Sequence, residues 1–181
     1  MDKVNSPNWR QELKASQRKE GKVTSNRWIQ IATVNENNEP RLRTVVFRGW
    51  ITDNSMLIFT DRRSEKFKEI KKNNNVEILW LLTKSKSQFR FKGNANIVQN
   101  DSNYWDKLNN QSRSTWFWPN PGYQFDNSDF EKDINKEVKP YNFLVFEINI
   151  HTVELLRLEK PIHKRFIWEE SNNWIPQRIN P

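Results

Sequence analysis

Arg41-Leu42-Arg43-Thr44-Val45-Val46-Phe47-Arg48-Gly49-Trp50 reads as a β-strand with cations threaded through it. Its centre is β-branched and follows no helical period. A few residues on, Phe59-Thr60-Asp61-Arg62-Arg63-Ser64-Glu65-Lys66 reads as the end of another strand running straight into a helix start. Arg43 and Arg48 on such a strand, beside a helix N-terminus carrying Ser64 and Lys66, suit a phosphorylated planar ligand.

Upstream, residues 28–34 form a β-branched run that reads as a strand, and a polar turn at 35–40 joins it to the strand at 41–50. Residues 9–19 have the spacing of a short amphipathic helix with Trp9 and Leu13 inward, Asn8 as N-cap and Gly21 as its stop. Downstream, Asp53-Asn54 marks a turn before a strand at 56–60. Residues 64–73 are expected to be helical, capped by Ser64 and carrying Phe67 and Ile70 on an apolar side. Strands follow at 76–82 and 87–93, the second continuing to 97, with Phe89 and Phe91 on one face and Gln88, Arg90 and Lys92 on the other.

Helical pieces are expected at 101–109, carrying Trp105 and Leu108, and at 111–118, stopped by Pro119. Residues 119–140 read as an irregular surface excursion, acidic through Asp126, Asp129, Glu131, Asp133 and Glu137. Strands at 143–150, 153–158, 165–169 and 174–179 close the chain. The spacings are those of hairpins, so the reading is mainly β: an antiparallel barrel with peripheral helices, 1–181 as a single domain.

The 181 residues include nine Trp and eleven Phe, enough ring area to build a core despite a hydrophobic content of 35%. Cysteine is absent and only two His are present, which rules out disulfides, thiolate metal sites and a multi-histidine metal centre. No apolar leader precedes the first helix, and no apolar run is long enough to span a bilayer, so a cytoplasmic protein with no membrane partner is expected. The net charge of +8 favours phosphorylated small molecules or polyanions. A nucleic-acid partner would show steep salt dependence, but no nucleic-acid motif supports one.

Taken together, Arg43 to Gly49, Phe59-Thr60, Ser64-Glu65-Lys66, Gln88, Gly93, His163-Lys164-Arg165-Phe166 and Arg178-Ile179-Asn180-Pro181 resemble the pyridoxamine 5'-phosphate oxidase family. The likeness runs from about Trp28 to the end, in the right order and spacing. It implies a split barrel binding FMN at a homodimer interface. By that resemblance Arg43 and Lys66 grip the FMN phosphate with Ser64 nearby, and the backbone of Thr44, Val45 and Val46 runs along the isoalloxazine edge. Phe59 and Thr60 continue that surface. Arg48 stands where the family has a flavin- and substrate-facing Lys. Gln88 approaches from the partner subunit, and Arg165 lies near the pyrimidine side of the ring. The implied activity is hydride exchange between flavin N5 and a small substrate, with no metal and no protein acid–base dyad.

The chain departs from the family where the vitamin B6 substrate would bind. An Arg-x-His element reads Pro161-Ile162-His163, a flavin-packing Trp is replaced around Leu155, and a Tyr-Arg-Ser trio reads Tyr104, Leu108, Ser112. His163, Tyr104 and Ser112 remain substrate candidates, with Arg113 as a substitute for the missing Arg. Two other readings stay open: a true pyridoxamine or pyridoxine 5'-phosphate oxidase, and a non-catalytic flavin-binding protein. Each candidate also has an ordinary structural alternative. Arg43 can be an ion-paired surface residue, Gln88 the polar face of a strand, and His163 a satisfied structural imidazole. Trp116, Phe117 and Trp118 read as core or dimer packing, or as a lid over the cofactor.

Overall fold

The computed structural model describes residues 7–125 and 137–181. Among the described residues every strand pairing is antiparallel. Strands β1 (Trp28–Val34), β2 (Pro40–Trp50), β3 (Ser55–Asp61), β4 (Asn75–Leu82), β5 (Ser87–Ile97) and β6 (Phe143–Arg157) lie in the order β3-β2-β1-β4-β5-β6, and β3 also pairs with β6. That last pairing closes a six-stranded barrel, as hairpin-like spacing predicted. β7 (Lys164–Glu169) and β8 (Gln177–Ile179) extend the sheet beyond β6.

Alternation puts Ile29 and Ile31 of β1, Ile78, Trp80 and Leu82 of β4, and Phe89 and Phe91 of β5 into one core. The helix α1 (Asn8–Glu20) adds Trp9 and Leu13 to it. Trp9 meets Trp50, Phe91 and Trp174 at ring centroid separations of 5.7, 5.8 and 6.0 Å. Beside it the buried Arg10 lies 3.8 Å from the centroid of the Trp50 ring, a cation–π contact the helix pattern did not reveal.

Several boundaries move, each for a local reason. Pro7 rather than Asn8 occupies the N-cap of α1; its ring fixes φ and removes an N–H that would have no partner before the helix. Helix α2 (Glu65–Lys72) follows Ser64, but the Ser64 hydroxyl donates to the Asp61 carbonyl at 2.6 Å and makes no cap bond. The helix expected over 101–109 is shorter, α3 (Ser102–Asp106), and the piece expected over 111–118 is α4 (Asn110–Ser114) followed by the 3-10 turn Thr115–Phe117; α4 starts one residue early because the Asn109 side chain caps it, accepting from the Ser112 amide at 2.8 Å. Of the strand expected at 174–179 only Gln177–Ile179 pairs, since Asn173 and Trp174 adopt φ of 50° and 59° in the preceding turn. Asp126, Asp129, Glu131 and Asp133 lie outside the described residues. Glu137 is inside them, and its carboxylate lies 3.3 Å from Arg113.

The largest correction concerns the segment read as two strands with a break near His151. It is one strand of 15 residues. Its first half bonds β3 and its second half β7, while β5 runs along nearly all of it. A bulge between Lys92 and Gly93 absorbs the extra residue at His151. The bulge needs a residue without a side chain: a Cβ on Gly93 would lie 2.4 Å from the Asn149 carbonyl oxygen. Outside the barrel, Leu57, Trp105, Phe143 and Val145 form a second cluster, joined by Trp116 and Phe117. The aromatic knot is therefore packing for those two rings, with Trp116 edge-on to Phe143 at 4.9 Å and 80°.

No helix among the described residues is long and apolar enough to cross a membrane. Gly93→Ala is expected to destabilise the protein by about 1–3 kcal/mol through backbone overpacking. Urea unfolding should show a lower midpoint with an unchanged slope; an unchanged midpoint would contradict the close approach to Asn149.

Candidate functional site

β2 alternates, so Arg43 and Val45 lie opposite the inward Ile31 and Ile29, whereas Thr44 and Val46 lie opposite Gln30 and Trp28 on the outer face. Val45 is buried in the core, which leaves only its backbone for a ligand. Arg43 comes at the barrel end, where α2 crosses. It donates to Glu69 of α2 at 2.6 Å and to the Thr33 hydroxyl, and Thr33 donates to the same carboxylate at 2.5 Å. Glu69 is buried behind the guanidinium and orients it.

The start of α2 brings Lys66 to the same place. Its ammonium donates to the Ser64 hydroxyl at 3.2 Å, and Ser64 stands 3.5 Å from the Thr60 hydroxyl. No carboxylate among the described residues forms an ion pair with Lys66. Burial, and then the charge of Arg43, push the Lys66 ammonium below the usual lysine range. Arg41, Arg43, Ser64 and Lys66 line a groove of about 600 Å³, whose far wall is Pro121 and Gly122. That wall comes from the loop after the aromatic knot. It is tied down by Arg63, which donates to the Trp118 carbonyl at 3.0 Å, and by Asn142, which donates to the Trp116 carbonyl at 2.8 Å.

Arg63 also forks onto Asp61, at 2.7 Å from Nη2 and 3.0 Å from Nε. Burial alone would raise the Asp61 carboxyl, but hydrogen bonds from the Arg63 side chain and amide and from Asn142 outweigh it and hold the group below the ordinary carboxylate range.

A second groove, of about 440 Å³, opens further along β2. Arg48 and Phe59, assigned above to the cofactor, line it beside the substrate candidates Tyr104 and Ser112, together with Arg27, Lys107 and Asn109, which the sequence did not single out. Arg113 does not join them. It is buried, donates to the Asp106 carbonyl at 3.2 Å and lies 5.5 Å from the Trp105 ring centroid, so it braces the α3–α4 turn and faces away from the groove.

The third cluster joins β5, β6 and β7. Gln88, Leu156 and Arg165 stand side by side in register and line a small cleft of about 130 Å³ with Arg90 and Glu154. Glu154 is buried and accepts from Arg165 at 2.6 and 3.1 Å and from Arg90. Burial pushes Glu154 up, and the bonds from Arg165 and Arg90 more than reverse the effect. Arg90 was visible in the alternation of β5; the role of Glu154 was not, because only strand pairing brings it there. His163 is exposed, with Nδ1 3.1 Å from the Glu159 carbonyl, outside all three grooves. Within one chain the Arg43–Lys66 groove and the Gln88–Arg165 cleft are separated by β1 and β4.

Residues 6–99 match the family model described as pyridoxamine 5'-phosphate oxidase, FMN-binding domain. Among curated proteins, the chain is 31% identical over 110 residues to a pyridoxine/pyridoxamine 5'-phosphate oxidase 2 of Arabidopsis thaliana, covering 60% of this chain and 55% of that protein. The match thus spans just over half of that relative's length. It is 25% identical over 178 residues to a pyridoxine/pyridoxamine 5'-phosphate oxidase of Leptospira biflexa, covering 91% of this chain and 83% of the other. Among solved structures, a pyridoxamine 5'-phosphate oxidase-related, FMN-binding protein of Nostoc punctiforme superposes with TM-score 0.86 at 25% identity, over 96% of this chain and 98% of that one. PhzG from Burkholderia lata shares the fold, with TM-score 0.81 at 15% identity over 99% and 95% of the two chains.

Asp61 and Glu154 are both more acidic in the folded chain than when unfolded. Their stabilisation is therefore complete above the ordinary carboxylate range and is lost as pH falls through that range and past their lowered values. Urea midpoints measured against pH should fall in that window. Asp61→Asn and Glu154→Gln should each be less stable at neutral pH and show a shallower acid loss; an unchanged acid slope in both would exclude them as its source.

Proposed function

The chain belongs to the pyridoxamine 5'-phosphate oxidase FMN-binding family, and on that premise we propose that it is a homodimeric FMN-dependent oxidoreductase acting on a small substrate. FMN, when bound, supplies hydride exchange at flavin N5. The chain's own residues bind, orient and tune it.

The observation that carries this reading is the half-buried Lys66 ammonium, whose hydrogen-bond partner is a hydroxyl rather than a carboxylate, beside a guanidinium held in place by Glu69. A phosphate monoester supplies the missing negative charge, and Arg43, Lys66 and Ser64 would hold it with charge-assisted bonds. The backbone of Thr44 to Val46 would then follow the ring edge, with Phe59 and Thr60 beyond it and Arg48 on the substrate side.

The position of the other site residues supports a dimer. Gln88 and Arg165 stand across β1 and β4 from Arg43, too far round the barrel to share its groove. The outer face between them exposes Trp28 and Leu81, each at 53%, and Leu42 at 67%. Covering this apolar face with a second copy would bring Gln88 of the partner subunit and Arg165 of the partner subunit over the ring bound by Arg43. A cation at the pyrimidine edge favours the negative charge of the reduced ring, and Glu154 would hold that cation in position.

Oxidation of a vitamin B6 phosphate, the activity named for the curated relatives, is less well supported. Leu108 offers no charge, Arg113 faces the Trp105 cluster, and His163 stands outside the grooves.

Arg43→Ala combined with Lys66→Ala should weaken FMN binding by about 100-fold or more, since each charge-assisted bond contributes about 1.5–3 kcal/mol. Quenching of flavin fluorescence reads this directly, and wild-type affinity in the double variant would overturn the phosphate assignment. Trp28→Glu with Leu81→Glu should sediment as a monomer and lose FMN while keeping its far-ultraviolet spectrum; a flavin-loaded monomer would refute the shared site.

A further inference from the structure

The two walls of the Arg43–Lys66 groove come from distant parts of the chain. One is the strand–turn–helix unit with Ser64 and Lys66; the other is Pro121 and Gly122. Asp61, the last residue of β3, joins them. Its carbonyl accepts from the Ser64 amide at 3.0 Å and from the Ser64 hydroxyl at 2.6 Å, and that hydroxyl meets the Lys66 ammonium. Its carboxylate accepts from the Arg63 amide at 2.7 Å, from the Arg63 guanidinium, and from Asn142 at 3.0 Å. The same Arg63 Nη2 reaches on to the Trp118 carbonyl, and the same Asn142 side chain to the Trp116 carbonyl. The loop that leads to Pro121 and Gly122 thus hangs from the turn that presents Lys66.

Neither Asp61 nor Arg63 lines the groove, so any effect they have on its contents runs through the residues they hold. Charge-assisted bonds to a phosphate need separations of about 2.8 Å, and a wall displaced by about 1 Å forfeits them. A guanidinium forked onto a carboxylate has its remaining N–H aimed in a fixed direction, which a flexible ammonium does not reproduce. Gly122, with φ of 85° and no Cβ, leaves bare backbone on the wall that Arg63 holds. We infer that Asp61 and Arg63 are positioning residues that set the width of this groove, and that the width lets it distinguish a phosphorylated flavin from the unphosphorylated form. The inference rests on the FMN reading, in which Arg43 and Lys66 take the phosphate.

The test titrates the full chain, dialysed free of flavin, with FMN and with riboflavin, which differ only in the phosphate; flavin fluorescence is the readout. The wild type should prefer FMN by about 100-fold or more. Arg63→Gln should cut that preference by about ten-fold with riboflavin affinity unchanged, because the ring-binding residues are untouched. Arg63→Lys can reach Asp61 or the Trp118 carbonyl but not both, and should lose only about three-fold. Gly122→Ala strains the wall directly and should also lower the preference, so the test stands if Arg63→Gln does not fold. Combined with Arg63→Lys, it should cost less than the product of the two single losses, since both act on one wall. An unchanged preference in Arg63→Gln or in Gly122→Ala, or an equal loss of both flavins, would overturn the inference. A wild-type protein that binds FMN no better than riboflavin is a distinct failure: it removes the phosphate assignment and the inference with it.

Discussion

Strand β6 hydrogen-bonds to three neighbours, β3 and β7 at its two ends and β5 along its length. A straight strand cannot serve β3 and β7 in turn. The bulge opposite Gly93 bends it at the change of partner, and the missing Cβ is what lets the Asn149 carbonyl approach. Closure of the barrel depends on this bend. So does the placement of the candidate site: one end of β6 sets Asn142 against Asp61, at the turn that leads into α2 and Lys66. The other end sets Glu154 between Arg90 and Arg165.

The cations of this basic chain fall into two kinds. Arg43, Arg90 and Arg165 each lean on a buried carboxylate, Glu69 or Glu154. The carboxylate takes the buried position and the guanidinium remains half-buried at a groove. Such a pair adds little to stability in itself, since desolvation offsets the attraction, but it holds a side chain in one orientation. Lys66 and Arg48 have no such carboxylate, and burial lowers the pKa of both. Held guanidiniums beside a Lys66 ammonium with no ion pair among the described residues are what a phosphate would meet.

Much of this was legible in the chain as written. The alternation of Phe89 and Phe91 with Gln88 and Arg90, the β-branched run at Thr44 to Val46, and the strand-to-helix junction at Ser64 all sit where local pattern put them. Local pattern failed where a long-range contact overrode it. The break expected at His151 vanished because β5 absorbs the extra residue. Trp174 left the strand pattern to meet Trp9. Ser64 turned from helix capping to the Asp61 carbonyl.

By itself, then, the order of residues determined most of the elements, the barrel class and the strand–turn–helix unit that carries Arg43, Ser64 and Lys66. These depend on side-chain periodicity and on spacing within one strand–turn–helix unit, which are properties of neighbours in sequence. The tertiary structure decided which cations face a groove. Arg113, one residue from Ser112, is turned into the Trp105 cluster, while Arg27, more than 70 positions from Lys107, shares its groove. Adjacent residues on a helix point in different directions, and barrel closure brings distant turns to one mouth. A residue's position in sequence therefore says little about which groove its charge will serve.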